Sequence, residues 1–230
     1  MAMRKTQRKP VNSVTGSSPV RKARAVPQHP RDRAATRERL IEAAIEIIRK
    51  RGSDALSTVS VTRAAGIVQS GFYAHFDDVD DCKQAAAEHV AARIRRVVAE
   101  HRRAGQQKTA DLPSVTDHFE MILSLYQEER WFSELFLRYR YDRSPIGLVF
   151  RQLMDQMRTD LAADLRAQFE PLLPPGHNPL LFAAHAELLQ GMVIHAGEAM
   201  NEGRVADRCL LARELARAAI GLATVLTDIP

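Results

Sequence analysis

A chain of 230 residues with 45% hydrophobic content can hold one large or two small domains around a real core. No apolar run approaches the ~20 residues that cross a bilayer, and the N-terminus lacks the apolar segment of a secretory signal. Cys82 and Cys209 sit far apart in sequence, so a disulfide framework is not expected; two buried cysteines in a reducing cytoplasm are. The net charge is +5, and it is unevenly placed: residues 1–39 carry eleven Lys and Arg against Asp32 and Glu38, a net +9, which leaves +5 − 9 = −4 for the remainder. A basic arm on a slightly acidic body points to nucleic acid, with an anionic surface as the alternative. Few aromatics and abundant alanine favour an all-α fold.

Residues 1–33 are polar, basic and broken by Pro10, Pro19, Pro27 and Pro30. This segment buries too little apolar surface to offset its ordering entropy, so it reads as an arm disordered off DNA. It suits phosphates or the minor groove; the alternative is a solubilising tail. Thr36–Arg51 is the first helix, with Leu40, Ile41, Ala44, Ile45 and Ile48 on one side and Gly52 at its end. Glu46 can pair with Arg49 and Lys50 on its outer face, and Arg37 near the arm is placed to meet phosphate.

Thr58–Phe76 reads as two short helices around a tight turn. Thr58 is the expected cap, Val59, Ala64 and Ala65 the apolar side, and Gly66 the left-handed stop. Ile67 plugs the core beneath the turn, and Phe72 and Phe76 are the buried anchors of the second helix. This is the pattern of a helix-turn-helix, whose second helix enters the major groove. Ala64-Ala65-Gly66-Ile67 followed by Phe72-Tyr73 and His75-Phe76 resembles the DNA-binding domain of TetR-type transcriptional repressors.

The resemblance implies that Gln69, Ser70, Tyr73 and His75 contact DNA, with Gln69 suited to a base edge. Thr58 offers a hydroxyl at a helix start, and Gly71 leaves room for the backbone or a thymine methyl. The chain departs from the family at Val79, where relatives place a phosphate-binding lysine. That departure and the acidic run Asp77–Asp81 weaken backbone attraction, and the basic arm is expected to compensate.

Asp78 caps a long helix to about Ala104, which in relatives connects the two domains. Its later face carries Arg93, Arg95, Arg96, Arg102 and Arg103. The expected organisation is a basic arm over 1–33, a three-helix DNA-binding domain over 34–82, and a larger helical ligand-binding and dimerisation domain over 83–230. Amphipathic helices are expected over Asp111–Glu128, Trp131–Tyr141 and Ile146–Phe169. Pro171, Pro174, Pro175 and Pro179 then form a stiff loop.

The middle helices hold the candidate ligand pocket: Trp131, Phe136, Phe150 and Phe182 with Met154, Met157, Leu189 and Met192, whose flexible methionines suit an adaptable apolar cavity. Arg138, Arg140 and Arg143 are candidates for an anionic head at its mouth. A second resemblance, carried by Ala65-Gly66-Ile67-Val68, Ser144-Pro145-Ile146 and Arg158–Leu165, is to the subgroup that regulates unsaturated fatty acid synthesis. It implies a fatty acid or long-chain acyl-coenzyme A as the small hydrophobic ligand.

Asn178–Met200 and Val205–Leu226 are apolar nearly all round. They suggest an antiparallel hairpin that doubles across a twofold axis into a four-helix homodimer interface on a palindromic operator. Leu188, Gly191, Leu211, Leu215, Ala218 and Leu222 are its candidate contacts, and a monomeric core is the alternative.

There is no Gly-rich phosphate loop, HExxH or nucleophile elbow, and the histidines form no metal signature. No enzyme activity, metal or cofactor is expected. Two rival readings remain, a helical lipid-binding carrier or enzyme with no DNA role, and a membrane adaptor using the arm.

Overall fold

The computed structural model describes residues 30–105 and 111–227. The basic arm up to residue 29 and the loop at 106–110 lie outside the described residues. Among the described residues the chain is helical and has no strand. Its helices are α1 (Pro30–Arg51), α2 (Thr58–Ala65), α3 (Gln69–Phe72), α4 (Val79–Gly105), α5 (Leu112–Glu128), α6 (Arg130–Tyr139), α7 (Pro145–Phe169), α8 (Leu181–Asn201) and α9 (Arg208–Thr227). None of these helices is long and apolar enough to cross a membrane.

α1 starts at Pro30, six residues before the expected Thr36. Proline breaks a helix interior but suits a first position, where no N–H partner is needed. Thr36 lies in the second turn and its hydroxyl donates to the Asp32 carbonyl at 2.8 Å. The inward face of α1 is the expected one: Leu40, Ile41, Ala44, Ile45 and Ile48 are buried. They meet Val61, Phe72 and Phe76 and the run Cys82, Ala85, Ala86 and Val90 of α4. Each large side chain so buried contributes about 1.5–3 kcal/mol.

The inward register of α2 differs from expectation. Val61, Thr62 and Ala65 are buried, while Val59 and Ala64 face outward. Thr62 is tolerated there because its hydroxyl donates to the Thr58 carbonyl at 2.7 Å.

α4 packs on α1 near its start and on α5 and α7 farther along. A second core joins Val98 with Phe119, Ile122 and Leu123 of α5, Met200 of α8 and Leu215 of α9. α8 and α9 touch, but α8 packs chiefly along α7 and α9 along α5. The expected hairpin is therefore loose.

α8 crosses α5 closely at Gly197, where an added Cβ would sit 2.4 Å from the Tyr126 ring. Burial, with Glu198 nearby, holds the Tyr126 hydroxyl pKa well above its ordinary value. On the α4–α5 contact the rings of His101 and His118 lie 5.2 Å apart. Burial, the neighbouring His101 and Arg102 push the His118 imidazole down to about 4.

Cys82 is buried and Cys209 exposed, so only one of the two expected buried thiols is buried. The reason is the register of α9, whose inward positions are Ala212, Leu215 and Ala216.

Two outcomes follow from this packing. Gly197→Ala forces the Tyr126 ring aside and costs about 1–3 kcal/mol, read from urea unfolding. His118 stays neutral in the fold but titrates near 6.5 when unfolded. Stability is therefore lost as pH falls from 6.5 towards 4, and His118→Asn, measured beside the wild type at pH 7 and 4.5, loses about 2 kcal/mol less over that interval.

Candidate nucleic-acid interface and cavity

The helix-turn-helix is built from backbone bonds that its sequence supplies. Ser57, not Thr58, caps α2: its hydroxyl accepts from Ser60 N at 3.1 Å, and the Ser60 hydroxyl accepts from Ser57 N at 2.9 Å. Thr58 becomes the first helical residue, half-buried at the same helix start. The expected cap is one residue late because both positions carry hydroxyls and only Ser57 has the extended backbone a cap needs. Gly66 ends α2 at φ 64 and ψ 39, which glycine adopts without a Cβ penalty. The Ile67 N–H then donates back to the Thr62 carbonyl at 2.9 Å.

α3 presents the expected polar face. Gln69, Ser70 and Tyr73 are exposed, Tyr73 to 58% and the neighbouring Val68 to 72%. His75 is half-buried, and burial together with Arg33 and Arg37 lowers its pKa. It is thus a neutral hydrogen-bond donor near pH 7. Gly71 serves packing rather than open access: an added Cβ would lie 2.8 Å from the Ile67 side chain.

Three arginines of α1 brace this unit. Arg33 donates to the Ala74 carbonyl at 2.9 Å, and Arg39 donates to the Ala65 carbonyl at the end of α2. Arg37 is exposed, with its guanidinium 5.1 Å over the Phe76 ring. Sequence reasoning missed Arg33 and Arg39. The signal available for Arg39 was the glycine stop after Ala65, where last-turn carbonyls lack partners; nothing local marked Ala74 as the partner of Arg33.

The acidic run after α3 is partly spent locally. Asp78 accepts from Asp81 N at 2.8 Å as the α4 cap, Asp81 accepts from Asp77 N at 3.1 Å, and Asp80 pairs with Lys83 at 2.7 Å.

The larger domain holds a cavity of about 150 Å³ among α4–α8. Its wall is apolar, with Phe119 and Ile122 of α5, Phe132 and Phe136 of α6, and Val193 and Ile194 of α8. Of the expected pocket residues Phe136, Met154, Met157 and Leu189 line it. Trp131, Phe150, Phe182, Met192 and Arg138 do not, each for a visible reason. Trp131 is buried with its indole N–H on Glu129 at 2.7 Å. Phe150 packs behind Phe132 and Phe136, with ring centroids 5.1 and 5.7 Å away. Phe182 packs near His177 and beneath Arg166, Met192 packs on the second core, and Arg138 is exposed beside Tyr139.

Nor do Arg140 and Arg143 reach the cavity wall; Arg140 is held by Glu198 at 2.9 Å. The cation on the wall is Arg102, already paired with Asp164 at 2.9 Å and Asp160 at 3.6 Å. The other polar groups there are His118, Tyr126, Glu129, Ser133 and Gln190. Together with Arg102 these come from four helices and one junction, so no local motif announces them.

On the outer face, Leu188 is 55% exposed and Gly191 has open space beside it. Leu211, Ala218 and Leu222 are half-buried. Leu215 is buried in the protomer's own core, because α9 turns it toward α5, and it is not available to a partner.

Residues 40–86 match the family described as "Bacterial regulatory proteins, tetR family". No curated protein matches the sequence. Among solved structures the fold is similar to a protein described as a TetR-family transcriptional regulator from Mesorhizobium loti, with TM-score 0.70 and 14% identity, over 84% of this chain and 97% of that one. It is similar to the fatty acid degradation regulator FadR from Bacillus halodurans, with TM-score 0.62 and 14% identity, over 84% and 96% of the two chains. It is also similar to RolR in complex with resorcinol, with TM-score 0.54 and 16% identity, over 87% and 97%. Residues 40–86 are thus a DNA-binding unit of the TetR family, and the chain as a whole shares the fold of the regulators named above.

Proposed function

We propose that the protein is an effector-responsive repressor that acts in the cytoplasm as a homodimer on a palindromic operator. The observation that carries this reading is the pairing of an outward polar face on α3 with an apolar cavity, joined by the long helix α4, which shares a core with Phe72 and lines the cavity with Ile94 and Val98. The open stripe of α8 and α9 around Leu188, Gly191 and Gly221 supports a twofold partner. Such a partner sets two reading helices about 34–36 Å apart, one turn of DNA. An effector that binds better when the two heads are splayed shifts the population away from the operator-competent spacing.

Cavity size favours a compact effector. A void of about 150 Å³ suits a single aromatic ring or a short chain. The similarity to RolR, whose structure holds resorcinol, points the same way. A long-chain acyl group is the second reading, supported by the similarity to FadR. It requires Met154 and Met157 to swing aside, and unbranched methionines do this at small cost.

A gel shift with the DNA upstream of its own gene tests the regulator reading against a lipid carrier or enzyme. The regulator shifts that DNA, and graded acyl-coenzyme A thioesters or phenols reverse the shift. Gln69→Ala and Tyr73→Ala, both at exposed positions, should weaken operator binding about tenfold or more with circular dichroism unchanged. Deleting residues 1–29 should weaken binding to all sequences and flatten its salt dependence. Met154→Trp should fill the cavity and abolish effector response while operator affinity stays within twofold.

A further inference from the structure

Glu129 sits between α5 and α6 at φ −110 and ψ 43, and its side chain is 3% exposed. It also lies on the wall of the cavity. Its carboxylate accepts from three side chains on three elements. Arg49, in the last turn of α1, donates from Nη2 to Oε1 at 3.0 Å and to Oε2 at 3.3 Å. Arg93 of α4 donates to Oε1. Trp131 of α6 donates from Nε1 to Oε2 at 2.7 Å. One carboxylate thus ties the DNA-binding domain, the connecting helix and the cavity wall together.

A carboxylate this deep needs its partners, since an uncompensated buried charge is strongly unfavourable. The three bonds are not equally fixed. Arg49 at the same time holds Glu46 of its own helix, through Nη1 at 3.4 Å. Arg93 and Trp131 between them still neutralise and hydrogen-bond Glu129 if Arg49 leaves. Arg49 is therefore the bond that yields, and on leaving Glu129 it still keeps an anionic partner in Glu46.

We propose that Glu129 is the latch that reports cavity occupancy to the DNA-binding domain. With the cavity empty, Glu129 reaches Arg49 and holds the end of α1 against α6. A molecule pressed against the Glu129–Ser133 wall draws the carboxylate back onto Arg93 and Trp131. Arg49 then keeps only Glu46, and α1 is released. This deepens the effector-responsive reading above and rests on it.

Two variants test the latch. Arg49→Met removes the yielding bond from a half-exposed position, and Glu129→Gln keeps the shape while removing the charge. Hexanoyl-coenzyme A, dodecanoyl-coenzyme A and resorcinol serve as probes, with binding followed by calorimetry and by the emission of Trp131, the single tryptophan of the chain. In the wild type, probe binding, the Trp131 shift and loss of affinity for the upstream DNA occur over the same concentration range. Arg49→Met, whose side chain is off the cavity wall, should bind the probe within about threefold of wild type; both variants should show about tenfold weaker DNA affinity without probe and lose most of the further change on adding it. Wild-type DNA affinity and wild-type response in Arg49→Met would overturn the latch.

Should no probe bind the wild type, or the upstream DNA not bind, the functional reading loses its support. The latch is then decided by hydrogen exchange of the ligand-free proteins. Amides of residues 47–51 should exchange about tenfold faster in both variants, and unchanged exchange would overturn it.

Discussion

A helix of four residues has no stability of its own, because nucleation costs more than so few hydrogen bonds return. α3 exists because Phe72 and Phe76 are fully buried between α1 and the alanine run of α4, with their rings 5.4 Å apart. Gln69, Ser70 and Tyr73 point outward because Phe72 points inward. Everything the molecule presents to a duplex depends on that anchorage. The arginines of α1 complete it by taking up the carbonyls of Ala65 and Ala74, which α2 and the turn after α3 leave without helical partners.

What could be read from the sequence follows from this. The apolar spacing of α1, the Gly66 stop and the paired phenylalanines are local signals, and the structure has them where expected. So does the Asp78 cap. Errors of one residue arose where neighbours carry the same chemistry. Ser57 and Thr58 both have hydroxyls, and only the backbone conformation chooses between them. In α2, Val59 and Ala64 are as apolar as Val61 and Ala65, so eight residues did not fix which side faces α1. Pro30 looked like a breaker and is a helix start.

The cavity was less legible, because its wall is a tertiary product. Aromatics and methionines mark a core, but not which side of each ring faces the void. Phe136 lines it, while Phe150 stands one layer behind. Exposed arginines near α6 suggested a polar mouth, yet Arg140 is committed to Glu198. The polar wall comes instead from His118, Arg102 and Glu129, whose roles depend on helices far apart in sequence. Glu129 in particular lay between two amphipathic segments, where a charged residue ordinarily faces water. Its neighbour Trp131 and the distant Arg49 and Arg93 make its burial tolerable.

The two sulfurs differ in setting and converge in behaviour. Cys82 is sealed beneath α1, and burial pushes its thiol up to about 12. Cys209 is open to solvent, but its hydrogen bond to Glu120 raises its pKa as well. Oxidants and electrophiles react with thiolate, not thiol. Both thiols are therefore held in the less reactive protonated form at neutral pH, and Cys82 is in addition closed off from solvent.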